Sequence, residues 1–553
     1  MTVEQVENII FNLPFATIDK PFSVAEDGTI KGYLGILDPG MPIALVFKAE
    51  IYKIYPCKYQ GEEPIHFFNE DLIDYPHIMH GGSLCFHTTY WTDEEDRLRS
   101  DITQLYDWVK EYYIGGKKDR NYEHLVVNPS EIDGTYYAFH FTQPDVYPDD
   151  GEFGIAAISE IRPGIHKGSQ VKNLLLDFFG ESKSSDIRHC TWNKIFKGLH
   201  KTFCPYVILK QPPAIHGKFA PATFDELEQF FTKDQMSYIH MYEQGHLKKD
   251  KGHLIPLLIG YRIPDSKLHW QAAMVVLGNF PTHGRPVTHN GVKTGSWETL
   301  FNSEKVDWAM TFDSSYDLFY GRGCFNNDIT CKNILVIGVG AVGSMVARTL
   351  AKCGCQHIAL CDFDMKKPEN VCKSEYDFVS GACDKSFELS RKLSEECPQL
   401  DISPMTDEIE GVLKLIPYGE SISDKAVELL SKFDIIFDCT TDDDTMSIME
   451  KIAINSQIIN LSITNHANEL VCAFSPNITN FVKGAFNSVL NNDTVDMYEP
   501  TGCWSPTFKA SYNDIALMVQ YAVRHIYRML NGDEVIHNFI LQDTDDGLQI
   551  TRY

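Results

Sequence analysis

The chain has 553 residues, 43% of them hydrophobic and 23% charged, and a formal net charge of −27. That is a globular composition with room for about three domains of roughly 150 residues, and its acidity argues against nucleic acid as a main partner, because phosphate contacts need a basic surface. No run approaches the roughly eighteen apolar residues of a membrane helix, and Met1–Gln5 lacks the basic and apolar regions of a secretory leader, so a cytoplasmic location with fifteen reduced cysteines is expected.

Residues 3–12 have helical spacing and predict an amphipathic first helix. Strand-like segments follow at Thr29–Ile36, Ile43–Tyr55 and Ile65–Phe68. A turn-rich stretch, Tyr75-Pro76-His77-Ile78-Met79-His80-Gly81-Gly82-Ser83-Leu84-Cys85, then precedes Trp91 and the helical spacing of Ile102, Leu105, Tyr106, Val109 and Tyr112. Taken alone, Cys85 reads as a buried structural thiol, which is what most lone cysteines are.

One helix, a meander, then a cysteine ahead of a tryptophan and a helix resembles a ubiquitin-conjugating domain. That family carries H-P-N followed by G-x-x-C, and here Pro76, Gly82 and Cys85 match its proline, glycine and acceptor cysteine. Tyr75 replaces the histidine, and His77 stands where the family has asparagine. The resemblance implies that Cys85 carries an acyl group as a thioester. His77 would support the oxyanion or act as a base toward an incoming amine. His80 and His87 match no role in the motif and read as surface or packing residues.

Residues 160–315 do not identify themselves. Helices are expected at Val171–Phe179, Asn193–Thr202 and Phe224–Phe231, and strands at Tyr206–Leu209, His253–Ile263 and Trp270–Gly278. Lys248-Lys249-Asp250-Lys251 reads as a solvated turn. The region is expected to be a linker domain.

From Asn333 the signal is dense. A strand, Asn333–Ile337, runs into Gly338-Val339-Gly340-Ala341-Val342-Gly343, a helix to about Lys352, and a second strand, His357–Cys361, ending on Asp362-Phe363-Asp364. Strand, GxGxxG, helix, strand, acid is a dinucleotide fingerprint. Asn370, Lys373 and Lys385 change its reading, because an amide and two cations beyond the acid suit a triphosphate better than a nicotinamide. The set resembles the adenylating core of the ubiquitin-activating superfamily, which includes MoeB and ThiF proteins. The resemblance implies that Asp362 holds the ATP ribose, Asn370 lies near the phosphates and Lys385 steadies the charged transition state. Asp364 and the glycines complete the nucleotide site. Lys373 replaces the family's arginine, keeping the charge but losing the bidentate fork. Arg322, in Gly321-Arg322-Gly323, is a candidate for an arginine that reaches the ATP site, in some relatives across a dimer.

Asp438-Cys439-Thr440-Thr441-Asp442 resembles the family's D-C-T-D-N segment with an extra threonine, which makes Asp442 the expected magnesium ligand, with Asp443 close behind; a solvated acidic loop is the alternative. In activating enzymes a cysteine on or after the crossover loop takes the acyl group. Here the crossover is expected at about 475–503, and Cys503, framed by Gly502 and Pro506 ahead of a helix from about Ser511 to Asn531, is preferred. Cys472 lies in an apolar strand and Cys439 at a strand end, so both read as buried. The chain has no CxxC, so no structural zinc is expected.

The expected fold class is α/β multidomain: an α+β ubiquitin-conjugating-like domain (1–159), an α/β linker domain (160–315) and a Rossmann-like ThiF/MoeB adenylation domain (316–553). This order resembles the activating–conjugating fusions of cyclic-oligonucleotide (CBASS) antiphage systems. The resemblance implies ATP and Mg2+ as cofactors and a protein carrier with a C-terminal glycine, a cGAS/DncV-like nucleotidyltransferase. It further implies transfer through Cys503 and Cys85 to target amines, and a homodimer. The chain ends Thr551-Arg552-Tyr553, without terminal glycines, so it is not expected to be the carrier. A MoeB/ThiF-type sulfur-carrier adenylyltransferase is the first alternative. A nicotinamide oxidoreductase and a non-enzymatic adaptor keeping the fold are the others.

Overall fold

The computed structural model describes residues 1–52, 65–85, 93–117, 125–181, 186–263, 267–289, 292–405, 420–452, 454–490 and 510–553. Among these residues no helix is long and apolar enough to cross a membrane. Four strands near the N-terminus form an antiparallel meander: β1 (Ala16–Val24), β2 (Ile30–Ile36), β3 (Leu45–Ile51) and β4 (Ile65–Phe68). Helix Val3–Phe11 starts on Thr2, which shares a capping box with Gln5, and buries Val6, Ile9 and Ile10. Helix Glu94–Trp108, capped by Asp93, buries Leu98, Ile102, Leu105 and Trp108 in the same core and runs on as a π-helical turn, Val109–Ile114. β1 has no counterpart among the expected strands. It is an edge strand with only Ala16 and Phe22 buried, so its sequence lacks an apolar alternation.

The middle of the chain builds a ten-stranded sheet from β5 (Thr135–Phe141), β6 (Phe153–Glu160), β7 (Gly164–His166), β8 (Ser169–Glu181), β9 (Ile187–His189), β10 (Lys201–Ile208), β11 (Leu254–Arg262), β12 (Leu268–Val276), β15 (Asp307–Trp308) and β16 (Met310–Asp313). β13 (Thr282–His289) and β14 (Val292–Phe301) form a separate hairpin. Cores lie on both faces of the large sheet. β5 and β6 belong to it, so the expected boundary at 159/160 cuts the sheet, and the first unit ends before Thr135.

Two expected helices are corrected. Val171–Phe179 is the strand β8, wedged between β5 and β6 and buried on both faces. An apolar run covered on both sides has no period that separates strand from helix. Asn193–Thr202 holds only the short helix Lys194–Lys197 before β10 begins at Lys201. Conversely, Lys233–Asp250 is one helix, its N-terminus fixed by a Thr232–Gln235 capping box, so the expected turn at Lys248–Lys251 is its last turn and C-cap.

The third unit is an eight-stranded sheet in the order β19-β18-β17-β20-β21-β22-β23-β24. Its strands are β17 (Asn333–Ile337), β18 (His357–Cys361), β19 (Asp401–Pro404), β20 (Ile435–Asp438), β21 (Gln457–Thr464), β22 (Glu469–Phe474), β23 (Phe539–Thr544) and β24 (Gly547–Arg552). The first five are parallel in the order 3-2-1-4-5, with the reversal between β17 and β20. An open parallel sheet binds ligands beyond the carboxyl ends of its strands at that reversal. The crossover expected at 475–503 opens as a helix, Ile478–Leu490, packed on β21 and β22. Its remainder lies outside the described residues up to Ala510, after which Ser511 caps the long helix Tyr512–Leu530.

Candidate active site

The glycine loop closes the crevice between β17 and β20. Gly338 sits at φ +77°, and a Cβ there would meet Cys439 and Thr440 backbone atoms at 2.9 Å. A Cβ on Gly343 would lie 2.0 Å from the Gly338 oxygen. Gly340, the N-cap of helix Ala341–Lys352, faces open space. Two glycines therefore serve packing, and the middle one leaves the helix N-terminus accessible to an anion.

Asp362, at the end of β18, is only 8% exposed. Its carboxylate accepts the Val339 amide at 2.9 Å and the Asp364 amide at 2.9 Å, which ties the second strand to the glycine loop. Burial pushes its pKa up, partly offset by the Lys385 ammonium. Lys385 opens helix Lys385–Glu396, and its Nζ lies 2.8 Å from Asp364 Oδ2 and 3.9 Å from Asp362 Oδ1. Gly338, Gly340, Gly343, Asp362, Asp364 and Lys385 thus converge at the strand ends.

Asn370 is less directly placed. Its Oδ1 accepts the Lys367 amide at 2.8 Å and caps the short helix Pro368–Val371, and Lys373, half-buried, follows that helix. Arg322 is exposed in its turn, and among the described residues no hydrogen bond or ion pair joins it to the others. Asp442 is exposed and caps helix Asp443–Lys451, accepting the Thr445 amide at 2.9 Å. Its own amide donates to Thr440 Oγ1 at 3.1 Å, which places it beside the residue that Gly338 contacts. Mg2+ needs only one or two carboxylates when phosphates supply the rest, and an exposed carboxylate at this rim fits that role. Asp438 is fully buried and saturated by Thr440 and Asn460, so it serves structure.

Residues with no sequence motif hold this frame. Tyr376 donates to the Val339 carbonyl. Lys366 and Glu388, 3% and 0% exposed, form an ion pair in which Glu388 also accepts from the Asp377 amide, Ser380 and Cys383. Burial pushes the Glu388 carboxyl up, but these bonds outweigh it and hold it below its ordinary value.

Cys85 is exposed at the end of a second constellation. Its amide donates to the His77 carbonyl at 2.8 Å, and Gly82, at φ +76°, allows the turn to press on Glu70, whose nitrogen a Cβ would meet at 2.6 Å. His77 itself sits at φ +60°, and its Nε2 is 3.1 Å from the Tyr112 hydroxyl. Trp108 donates from Nε1 to the Pro76 carbonyl at 2.9 Å. His80 is a packing residue, stacked on Phe219 of the middle domain at 3.7 Å between ring centroids. Cys503, Trp91 and His87 lie outside the described residues. Cys472 is fully buried and Cys439 half-buried, and burial raises both thiols well above their usual pKa, which leaves them poor nucleophiles.

Among the described residues one other group gathers metal-type ligands: His525, Glu534 and His537, with ligand atoms within 4.8 Å of one another. His537 Nδ1–H donates to the Val535 carbonyl at 2.7 Å, leaving its Nε2 to accept from His525 Nε2 at 3.3 Å. Arg528 and Arg552 hold Glu534. His525 Nδ1 stands 3.9 Å from Glu534 Oε2, and the two guanidiniums on Glu534 oppose a cation.

Residues 322–532 match the model of the ThiF family. The chain is 26% identical over 424 residues to the ATP-dependent ubiquitin transferase-like protein Cap2 of Enterobacter hormaechei subsp. hoffmannii (strain UCI 50), covering 72% of this chain and 68% of that protein. It is 31% identical over 109 residues, 20% of this chain and 18% of the other, to the uncharacterized protein y4qC of Sinorhizobium fredii (strain NBRC 101917 / NGR234). Among solved structures, E. coli MccB with ATP aligns at 13% identity and TM-score 0.29, covering 41% of this chain and 64% of that one, less than two thirds of the MccB chain. PaaA aligns at 15% identity and TM-score 0.30, covering 41% of this chain and 74% of its own.

Proposed function

Taking as premise that residues 322–532 are a ThiF-family domain, we propose that this chain activates the C-terminal glycine of a protein carrier with ATP and transfers it through two cysteines to amines. The observation that carries this reading is the convergence of Lys385, Asp362 and Asp364 with an open Gly340 at the strand reversal. The likeness to a ubiquitin transferase-like protein over 72% of this chain supports the second half.

The carrier's carboxylate is a poor acyl donor because its leaving group is an oxide. Its oxygen bonds to the α-phosphorus of ATP, the α–β phosphoanhydride breaks, and pyrophosphate leaves. Asp362 accepts from the ribose hydroxyls, the amides at the start of helix Ala341–Lys352 face the phosphates, and Lys385, held by Asp364, meets the developing charge. Asn370, Lys373 and Arg322 are assigned to the phosphate side. Mg2+, when bound, neutralises phosphate charge, and Asp442 is the residue assigned to hold it.

Cys503 thiolate then attacks the acyl carbon, and AMP leaves. Cys85 thiolate attacks the new thioester, its carbon–sulfur bond forms as that of Cys503 breaks, and Cys503 departs as thiolate. A target amine finally displaces Cys85, losing its proton to His77 or solvent. One chain carrying both thiols raises their effective concentration. The carrier assigned is a cGAS/DncV-like nucleotidyltransferase ending in glycine, and the setting antiviral defence, as the CBASS resemblance implies.

The test is ATP–pyrophosphate exchange with that carrier. Exchange that needs the carrier's terminal glycine and collapses in Lys385→Ala supports the reading. Exchange without any carrier, or none with it, removes it.

A further inference from the structure

The middle domain reaches into the cysteine loop through one turn. Ile215-His216-Gly217-Lys218 folds with His216 at φ +50° and Gly217 at φ +72°, the geometry of a tight hairpin turn. Phe219 N–H closes it onto the Ile215 carbonyl at 2.9 Å, and the Lys218 carbonyl accepts from Val126 at 2.7 Å. The turn therefore presents Lys218 and Phe219 from a fixed base in the middle domain.

Three side chains reach from this turn to residues 73–80. Lys218 Nζ donates to the Ile73 carbonyl at 2.6 Å and to the Tyr75 carbonyl. His216 Nδ1 lies 2.7 Å from Asp74 Oδ1. Phe219 stacks on His80. Lys218 is 4% exposed, an uncommon position for an ammonium. Burial lowers its pKa to about 8. Such a group is retained where its donors satisfy something specific, and the two carbonyls it grips lie immediately before Pro76-His77, whose His77 carbonyl receives the Cys85 amide at 2.8 Å.

We infer that Lys218 is a positioning residue for thiol chemistry at Cys85, and that the middle domain forms part of the conjugating site rather than a passive spacer. This rests on the function proposed above. Lys218 acts through Pro76-His77: with its ammonium seated on the Ile73 and Tyr75 carbonyls, the His77 backbone stays left-handed and the Cys85 amide stays docked. A displaced reacting group costs rate steeply. Loss of the ammonium slows both the loading of Cys85 and its discharge to an amine, while activation on the ThiF domain is untouched.

The experiment uses the full chain as wild type, Lys218→Met, Lys218→Arg and His216→Ala. Hydrogen exchange of the 73–85 peptide is followed without any carrier. With carrier, single-turnover steps are timed separately: ATP–pyrophosphate exchange, transfer to Cys85, and discharge of Cys85 to hydroxylamine. The expected result is faster exchange at 73–85 in Lys218→Met, transfer and discharge slowed about tenfold or more, and unchanged ATP–pyrophosphate exchange. Lys218→Arg recovers at least half the lost rate, and His216→Ala shows a smaller loss in the same steps. Transfer and discharge within twofold of wild type in Lys218→Met overturn the inference, as does an equal loss in ATP–pyrophosphate exchange. If wild type forms no thioester at all, the proposed function falls. The 73–85 exchange then decides the latch alone, and unchanged protection overturns it.

Discussion

Lys385 Nζ lies 2.8 Å from Asp364 Oδ2 and 3.9 Å from Asp362 Oδ1, so the lysine assigned to the transition state is held by the residue assigned to the ribose and by its neighbour. The ion pair aims the ammonium into the crevice before any nucleotide arrives. Lys385→Ala is expected to slow ATP–pyrophosphate exchange about 10²–10³-fold, the scale of losing one preorganised charge-stabilising group. Equilibrium dialysis with ATP should show a smaller loss of affinity. Equal losses in both would mean that the lysine serves binding alone.

The glycines separate packing from binding. Gly340→Ala introduces a methyl into open space at a negative φ and should leave the melting temperature within a few degrees while weakening ATP binding. Gly343→Ala sets a carbon 2.0 Å from the Gly338 oxygen and 3.2 Å from Cys439 Cβ. It should cost about 2 kcal/mol or more. Thermal melts of the two variants check this, and the order of their stabilities is the point at issue.

The Lys366–Glu388 pair sets a pH signature. Glu388 is held below its ordinary carboxylate value, so the stability it contributes is full above that value and is lost as pH falls through the lower folded one. Lys366→Met leaves a carboxylate of 0% exposure without its counter-charge and should destabilise by about 3–5 kcal/mol near neutrality. In that variant Glu388 protonates more readily, so the deficit should shrink in acid. Urea titrations of both proteins across the acid range would detect a deficit that instead stays constant.

At the cysteine loop the backbone makes its own demand. His77 occupies φ +60°, which asparagine tolerates and β-branched residues do not. His77→Asn should fold as wild type and keep measurable discharge of Cys85. His77→Val should lose about 1–2 kcal/mol and disturb the Cys85 amide. Tyr112→Phe, which removes the hydroxyl 3.1 Å from His77 Nε2, should alter discharge without altering stability by more than a few tenths of a kcal/mol.

What the sequence disclosed followed local chemistry. β17, the glycine loop and β18 were readable because a buried parallel strand, a glycine turn and a helix lie in unbroken succession. The spacing Pro76, Gly82, Cys85 carried its own turn geometry. Val171–Phe179 misled because β8 is covered on both faces and has no period of its own. β1 was silent because an exposed edge strand needs little apolar sequence. Lys233–Asp250 did announce itself through Thr232 and Gln235, a capping signal that the weakly apolar face behind it obscured. Lys218 could not be found from sequence at all. Its role depends on carbonyls of Ile73 and Tyr75, some 140 residues away in the chain, and backbone acceptors leave no mark on residue type. For Asp442 the extra threonine blurred the motif, and the cap it forms on helix Asp443–Lys451 gives the same position a structural use.

A sulfur-carrier activator would use the same adenylating residues and have no use for residues 1–117. Removal of that segment should therefore leave ATP–pyrophosphate exchange intact under either reading but abolish amine conjugation only under the present one. Mass spectrometry of the carrier's C-terminus after reaction distinguishes a thiocarboxylate from an amide.

The most direct test is a non-reducing gel of the full chain with ATP, magnesium and a nucleotidyltransferase ending in glycine, run for wild type, Cys85→Ala and Cys503→Ala. The two-cysteine relay predicts thiol-sensitive adducts in wild type, an adduct trapped on Cys503 in Cys85→Ala, and none in Cys503→Ala. An adduct on Cys85 that survives in Cys503→Ala, or no thiol-sensitive adduct in wild type despite ATP binding, would contradict it.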